Sequence, residues 1–184
     1  MIIVGFYTEN TQYEKEAKEW LESFKGYDTC LYKVANLGSW ELNCAQKSRI
    51  LRYAIDDLEE DILYLDVDAR IERSFTEEET PLGDLPGFVV WNQTWGSHKE
   101  ELLSGTIFFP NNNLSREILD DWIHEQENNP REWDQRTLQK VVFSAKYPYY
   151  KMNLNWCAIQ KFMKLQDPII VHGQASRRLK GTIK

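Results

Sequence analysis

The sequence predicts one α/β domain with a mostly parallel central sheet flanked by helices. Three observations carry this expectation. Short apolar runs at residues 2–7, 30–35 and 62–66 alternate with two amphipathic stretches, and strand–helix–strand order calls for parallel pairing. The third run, Ile62-Leu63-Tyr64-Leu65, ends in Asp66-Val67-Asp68, and the carboxyl ends of strands are where open α/β sheets receive ligands. The 184 residues suit a single hydrophobic core, with no repeat or low-complexity linker to divide it.

The elements follow in order. Residues 2–7 read as a buried strand closed by Thr8-Glu9-Asn10. Thr11 with Glu14 forms a capping-box signature, after which Tyr13, Ala17, Trp20, Leu21 and Phe24 share a helical stripe that Gly26 stops. A second strand at 30–35 and the turn Asn36-Leu37-Gly38-Ser39 lead into one helix over about 41–58, with Leu42, Ala45, Ile50, Ala54 and Leu58 inward. Its acidic last turn, Asp56 to Asp61, opposes the helix dipole and predicts a solvated, frayed end. Beyond the third strand, residues 72–86 form an acidic loop, and 88–91 and 103–109 are two more strands. Asn111-Asn112-Asn113 turns the chain into a helix carrying Ile118, Leu119, Trp122 and Ile123. Asn128-Asn129-Pro130 breaks it, with Pro130 placed to start a helix carrying Trp133, Leu138, Val141 and Val142. Residues 149–154 and 169–172 are final strands, and the tail holds Arg177, Arg178, Lys180 and Lys184.

Composition narrows the function classes. A net charge of −7 argues against non-specific affinity for a polyanion. The seven Trp, nine Tyr and eight Phe serve a core first and stacking platforms second. Cys30, Cys44 and Cys157 fit no zinc or redox spacing and read as buried thiols in a reducing compartment. The opening Met-Ile-Ile-Val-Gly has no basic leader, and no apolar run reaches membrane-spanning length, so the expectation is a soluble, cytoplasmic protein without a membrane partner. Neither the P-loop nor the dinucleotide glycine pattern occurs.

On an extended chain Asp66 and Asp68 share a face while Val67 points away. Two such carboxylates repel unless a cation or proton lies between them. Hard oxygen ligands suit Mg²⁺ or Mn²⁺, ions that commonly hold phosphate oxygens. The alternative is a strand that ends in a solvated acidic turn.

Four stretches in register resemble one family: Leu63-Tyr64-Leu65-Asp66-Val67-Asp68 after β-α-β-α, Ser104-Gly105-Thr106 before an apolar strand, Trp133-Asp134-Gln135 opening a helix, and Ile170-Val171-His172 before basic residues. They resemble the GT-A glycosyltransferases, and among these the retaining galactosyltransferase and glycogenin-like group (family 8 type), in a short version. The resemblance implies a Rossmann-like nucleotide-diphospho-sugar transferase domain over 1–184. Residues 1–71 would be its nucleotide-binding half, 72–172 its donor-sugar and acceptor half, and 173–184 a basic C-terminal tail. It implies a metal-dependent hexosyl transfer from a nucleotide-sugar, a UDP-sugar, to an acceptor hydroxyl with retention of configuration.

Residue by residue, the likeness places Phe6, Tyr7 and Thr8 at the nucleoside. Arg49, seventeen residues before the first acid, falls where a basic residue meets the nucleotide-sugar. Asp66, Val67 and Asp68 form the D-x-D donor site, and Asp66, Asp68 and His172 hold Mn²⁺ or Mg²⁺. Ser104, Gly105 and Thr106 lie beside the donor sugar, Asp134 and Gln135 are the catalytic pair near the reacting carbon, and Arg178 meets phosphate. The acceptor stays open among a glycan, a small molecule, a protein and a modified DNA base; His98, Glu101, Asn153 and Asn155 are candidates for its site. Oligomeric state is not legible. The chain departs from the family in its length, in Ala175 where a glycine is usual, and in Arg178 where a lysine is usual.

Plain structural readings stand beside these roles: His172 as a hydrogen-bonded strand-end residue, Asp134 as a first-turn helix acid, Arg49 as a surface charge, the basic tail as a loose terminus. Two other functions are weighed. One is a non-catalytic nucleotide-sugar-binding module. The other is a D-x-D phosphohydrolase of the haloacid dehalogenase type, which wants Thr or Val two residues past the second acid, where this chain has Arg70.

Overall fold

The opening apolar run forms β1 (Ile2–Thr8) in the computed structural model, which describes residues 1–92 and 100–175. Helix α1 (Tyr13–Ser23) then lays Ala17 and Trp20 against one face of the sheet, and β2 (Thr29–Val34) returns parallel to β1. The capping box works one residue out of register. Thr11 Oγ1 accepts from Tyr13 N at 3.2 Å and Glu14 Oε1 accepts from Asn10 N at 2.7 Å, so the helix begins after Gln12.

The single helix expected over 41–58 is two. Ser39 caps α2 (Trp40–Ala45), accepting from Leu42 N at 3.2 Å, and after Gln46 the chain starts α3 (Lys47–Leu58). The inward stripe of α3 is Lys47, Ser48, Leu51, Ala54 and Ile55, so Ile50 is not part of it. Its acidic last turn is not frayed. Asp56 is paired with Arg52 and with Arg116 Nε at 2.8 Å, and Asp61 Oδ1 accepts from Asn111 N at 2.7 Å, so arginines and an amide offset the dipole penalty.

Strand β3 (Ile62–Leu65) is buried on both faces and pairs parallel with β1. Short β4 (Ala69–Ile71) follows, and after the loop come β5 (Gly87–Asn92) and β6 (Glu100–Phe109). Asn112 caps α4 (Asn113–Asn128), accepting from Ser115 N at 3.0 Å. Pro130 does not start the next helix; α5 (Asp134–Val142) begins four residues later, with Trp133 at its cap position. Strand β7 (Tyr150–Met152), a 3₁₀ turn at Leu154–Trp156, β8 (Ala158–Ile159) and β9 (Ile170–His172) complete the described chain.

The main sheet runs β2-β1-β3-β6-β5-β7, with β6 antiparallel to both neighbours and the other strands parallel to one another. Val4, Ile62, Tyr64 and Ile107 face α3, α4 and α5, where Leu51, Trp122 and Leu138 meet them. Ile3, Leu63, Leu65 and Phe108 face Trp20 and Trp156 on the other side. A small second sheet, β4-β9-β8, pairs Ala69 with His172. Among the described residues no helix is long and apolar enough to cross a membrane, and all three cysteines are free, with Cys157 buried and the other two half-buried.

Between β4 and β5 the chain is pinned by Arg73, whose guanidinium forks onto Glu79 at 2.6 and 2.9 Å and reaches Asp167 at 2.7 Å. Arg73 chiefly, and the Thr76 amide, draw the Glu79 pKa from 4.5 to about 2. A carboxyl depressed on folding contributes stability above its unfolded pKa and loses it as pH falls through the folded one. Thermal melts should therefore show wild type losing its margin over Glu79→Gln between pH 4.5 and 2, with the difference shrinking in high salt.

Candidate active site

The site is built where β3 ends. Asp66 leaves the sheet with its amide bonded to Gly105 O at 2.9 Å, and Ala69 N closes back on Asp66 O at 2.8 Å. The acids therefore sit on a tight turn, and turn geometry, not extended alternation, brings them together. Val67, between them, is buried and lines the cleft described below.

Asp68 is held by the segment after β9. Gly173 N donates to its carbonyl at 3.1 Å and Ala175 N donates to Oδ2 at 2.7 Å. Pairing of β4 with β9 brings in His172, and oxygen or nitrogen atoms of Asp66, Asp68 and His172 lie within 4.8 Å of one another. Thr106 sets the imidazole: its hydroxyl donates to Trp156 O at 2.6 Å, so it accepts from His172 Nε2 at 3.0 Å. That leaves Nδ1 facing Asp68 Oδ1 at 3.4 Å.

These residues fit a divalent cation. Asp68 Oδ1 is buried without a hydrogen-bond partner. At 3.4 Å the Nδ1–Oδ1 gap is long for a charge-assisted hydrogen bond, whereas two ligand atoms about 2.1 Å from one ion at right angles lie about 3 Å apart. Gly105 makes room for the arrangement, since a Cβ there would lie 2.9 Å from His172 Cε1 and 3.3 Å from Asp66 Oδ2. Burial opposes charge on both Asp68 and His172 and is outweighed, for Asp68 by His172 and then the Ala175 amide, and for His172 by Cys157 and then Asp68. The carboxyl is held below its usual pKa and the imidazole well above.

A buried lysine that the sequence reading passed over joins this cluster to the next one. Lys47 Nζ lies 2.9 Å from Asp66 Oδ1 and 2.6 Å from Asp134 Oδ2, donates to Ser104 O at 3.1 Å, and stands over the Tyr64 ring. Tyr64 donates to Asp66 Oδ1 at 2.6 Å and Ser104 Oγ donates to Asp134 Oδ2 at 3.0 Å. Burial works against the Lys47 charge, but Asp134 and then Asp66 overcome it and raise its pKa. The signal in the sequence was a lysine on the apolar stripe of α3.

A bulge in β6 shapes this region. Phe88 pairs with Ile107 but Val89 pairs with Leu103, so Ser104-Gly105-Thr106 has no counterpart on β5. Side-chain amides of α5 take over: Gln135 Oε1 accepts from Ser104 N at 3.3 Å and Gln139 Oε1 from Leu102 N at 2.9 Å. Gln135 Nε2 in turn donates to Glu101 Oε1 at 2.7 Å.

Above the cluster opens a cleft of about 540 Å³. Phe6, Tyr7 and Thr8 line it from the end of β1, and Glu101, Ser104, Asp134 and Gln135 from β6 and α5. Of the residues named from sequence, the structure thus gathers these with Asp66, Val67, Asp68 and His172. Gly105 and Thr106 lie beneath, packing and orienting the imidazole. Arg49 is not brought in: its guanidinium is exposed and paired with Glu127, because it follows the inward Lys47 by two residues and so points off the outer face of α3. Asn153 and Asn155 line a separate depression beside residues 77–82. His98 and Arg178 lie outside the described residues.

Replacing Gly105 by alanine should push the imidazole aside. The expected outcome is an Mn²⁺ Kd raised by about tenfold or more in a calorimetric titration, with the fold retained by circular dichroism.

No family model matches the chain, and neither does any curated protein. Solved structures do match. A crystal structure of a glycosyltransferase involved in the glycosylation of the major capsid of PBCV-1 superposes with a TM-score of 0.74 at 20% identity, over 98% of this chain and 97% of that one. The glycosyltransferase GlyE of Streptococcus pneumoniae TIGR4 gives 0.61 at 18% identity, and the bifunctional glycosyltransferase WbbM gives 0.59 at 12%. Over 90% of this chain is covered in both, but only 54% and 45% of those proteins. The chain therefore has the GT-A-like fold of glycosyltransferases.

Proposed function

We propose that the protein is a metal-dependent glycosyltransferase that moves a hexose from a nucleotide-sugar, a UDP-sugar, to an acceptor hydroxyl with retention of configuration. It would be a cytoplasmic enzyme of the retaining galactosyltransferase and glycogenin-like kind. One observation carries the reading: ligand atoms of Asp66, Asp68 and His172 lie within 4.8 Å of one another beside the cleft, with Asp68 Oδ1 buried and without a hydrogen bond. The fold shared with known glycosyltransferases supports sugar transfer as the class.

Asp66, Asp68 and His172 would hold Mn²⁺ or Mg²⁺. Such an ion, when bound, stabilises negative charge developing on the departing diphosphate. The bond from the anomeric carbon to the diphosphate oxygen breaks with its electron pair leaving on oxygen. The acceptor oxygen bonds that carbon, and its proton passes to the leaving phosphate. Phe6, Tyr7 and Thr8 would wall the nucleoside, and Asp134 and Gln135 would steady a cation-like sugar, roles supported by their common place on the cleft. Lys47 bridges Asp66 and Asp134 and fixes their carboxylates.

The test is turnover of UDP-glucose and UDP-galactose, followed as UDP release with Mn²⁺ or with chelator. Release should require the metal and fall by about 100-fold or more in Asp68→Asn. Metal-dependent binding without release would favour a binding module, and liberation of inorganic phosphate in place of UDP would favour a phosphohydrolase. Lys47→Met should cost about 3–5 kcal/mol in chemical denaturation, because it strands the Asp134 charge. Adding Asp134→Asn should recover part of that loss.

A further inference from the structure

We infer that Gln174 takes a hydroxyl of the transferred sugar on its side-chain amide oxygen, a conclusion that rests on the transferase reading of the same cleft. Among the described residues that line the cleft, two side-chain atoms are buried without a hydrogen bond: Asp68 Oδ1 and Gln174 Oε1. The first faces the imidazole, where an ion would be held. The second is an amide oxygen, and a buried amide oxygen with no donor is destabilising until something supplies one. The backbone at Gln174 is costly as well. Its φ is +54°, in the left-handed region, where a Cβ crowds the following carbonyl and glycine is at ease. Of the described non-glycine residues with positive φ, which are Asn10, Glu59, Ala145 and Gln174, only Gln174 lines the cleft. A long polar side chain stands where glycine would fit better, and its oxygen is unmatched. Strain of that kind, met at a cleft, points to a ligand.

The position of Gln174 sets the chemistry of that ligand. The amides on either side of it are both bonded to Asp68, Gly173 N to the carbonyl at 3.1 Å and Ala175 N to Oδ2 at 2.7 Å. Gln174 is thereby fixed beside the residue that would hold the ion and, through it, the diphosphate. Ionised diphosphate oxygens carry no proton, so they cannot donate to an amide oxygen. Hydroxyls can. The reacting hydroxyl of the acceptor gives its proton to the leaving phosphate, which leaves the ribose and the transferred sugar as sources. The ribose belongs with the nucleoside, assigned to Phe6, Tyr7 and Thr8 on β1 of the main sheet, whereas Gln174 follows β9 in the second sheet. The sugar is therefore the partner. The oxygen is shielded in the empty protein, but the last torsion of a glutamine is soft, and a small turn of the amide brings it to an arriving hydroxyl.

The experiment is calorimetry with Mn²⁺ and no acceptor, titrating UDP and then UDP-glucose, UDP-galactose, UDP-N-acetylglucosamine and UDP-xylose; the UDP-sugar that wild type binds tightest is carried to the variants. Gln174→Met keeps the length of the side chain and removes the amide. Its Kd for that UDP-sugar should rise about three- to tenfold, while its Kd for UDP and for Mn²⁺ alone should each move less than about twofold. Gln174→Gly should show the same loss of sugar affinity with a melting temperature held or raised, because glycine relaxes the left-handed backbone. An unchanged Kd for the UDP-sugar in Gln174→Met overturns the inference. A loss shared equally by UDP also overturns it, since the amide would then serve the ribose or the diphosphate. So does a ligand-free Gln174→Gly that melts below wild type, which would give the side chain to the fold. Wild type that binds neither UDP nor any UDP-sugar with Mn²⁺ sinks the transferase reading and this inference together, whereas the other failures sink this inference alone.

Discussion

Mutual repulsion of carboxylates at the end of β3 is the constraint around which the rest of the molecule is arranged. Asp66, Asp68 and Asp134 converge there, two of them nearly buried, and each must be neutralised from a different direction. Lys47 lies between Asp66 and Asp134, and the Ala175 amide and His172 address Asp68. A buried ammonium with two carboxylate partners is worth its desolvation because removing it would strand charge in low dielectric. The break at Gln46 has its meaning here: α3 starts at Lys47, so the ammonium enters at the first turn of a helix aimed at the strand end.

The second structural consequence is the bulge in β6. Three residues leave the pairing with β5, of which Thr106 still pairs with Leu65 of β3 and Gly105 O still accepts from Asp66 N, and this carries Gly105 under the imidazole and Thr106 against its Nε2. Gln135 bonds the Ser104 amide in the bulge and Gln139 the Leu102 amide just before it, so α5, which also presents Asp134, is locked to the sheet. Gly105 and Thr106 thus act on the cleft through His172. Their place in the site is that of support, while Ser104 reaches Asp134 directly.

The structural likeness spans nearly the whole of one neighbour and about half of two others. What the three share with this chain is the fold. The fold is therefore held at identities of 12–20%.

The sequence by itself determined the order of strands and helices, the paired acids at the carboxyl end of β3, and the residue types able to hold a divalent ion. Those features are local: buried parallel strands are uniformly apolar, and a strand's end is visible where the apolar run stops. His172 and Asp134 were singled out only by the resemblance to the GT-A glycosyltransferases. Only the tertiary structure showed that Lys47 and not Arg49 is the basic side chain turned into the site, since a difference of two residues on α3 reverses which side chain is buried. It decided too that a turn brings Asp66 and Asp68 together, that arginines from α3 and α4 neutralise the acidic end of α3, and that Trp40 and Trp133 meet at the cleft and not in a core. Each of these depends on partners far away in the chain, and pairing of that kind is set by packing, which residue order encodes only jointly.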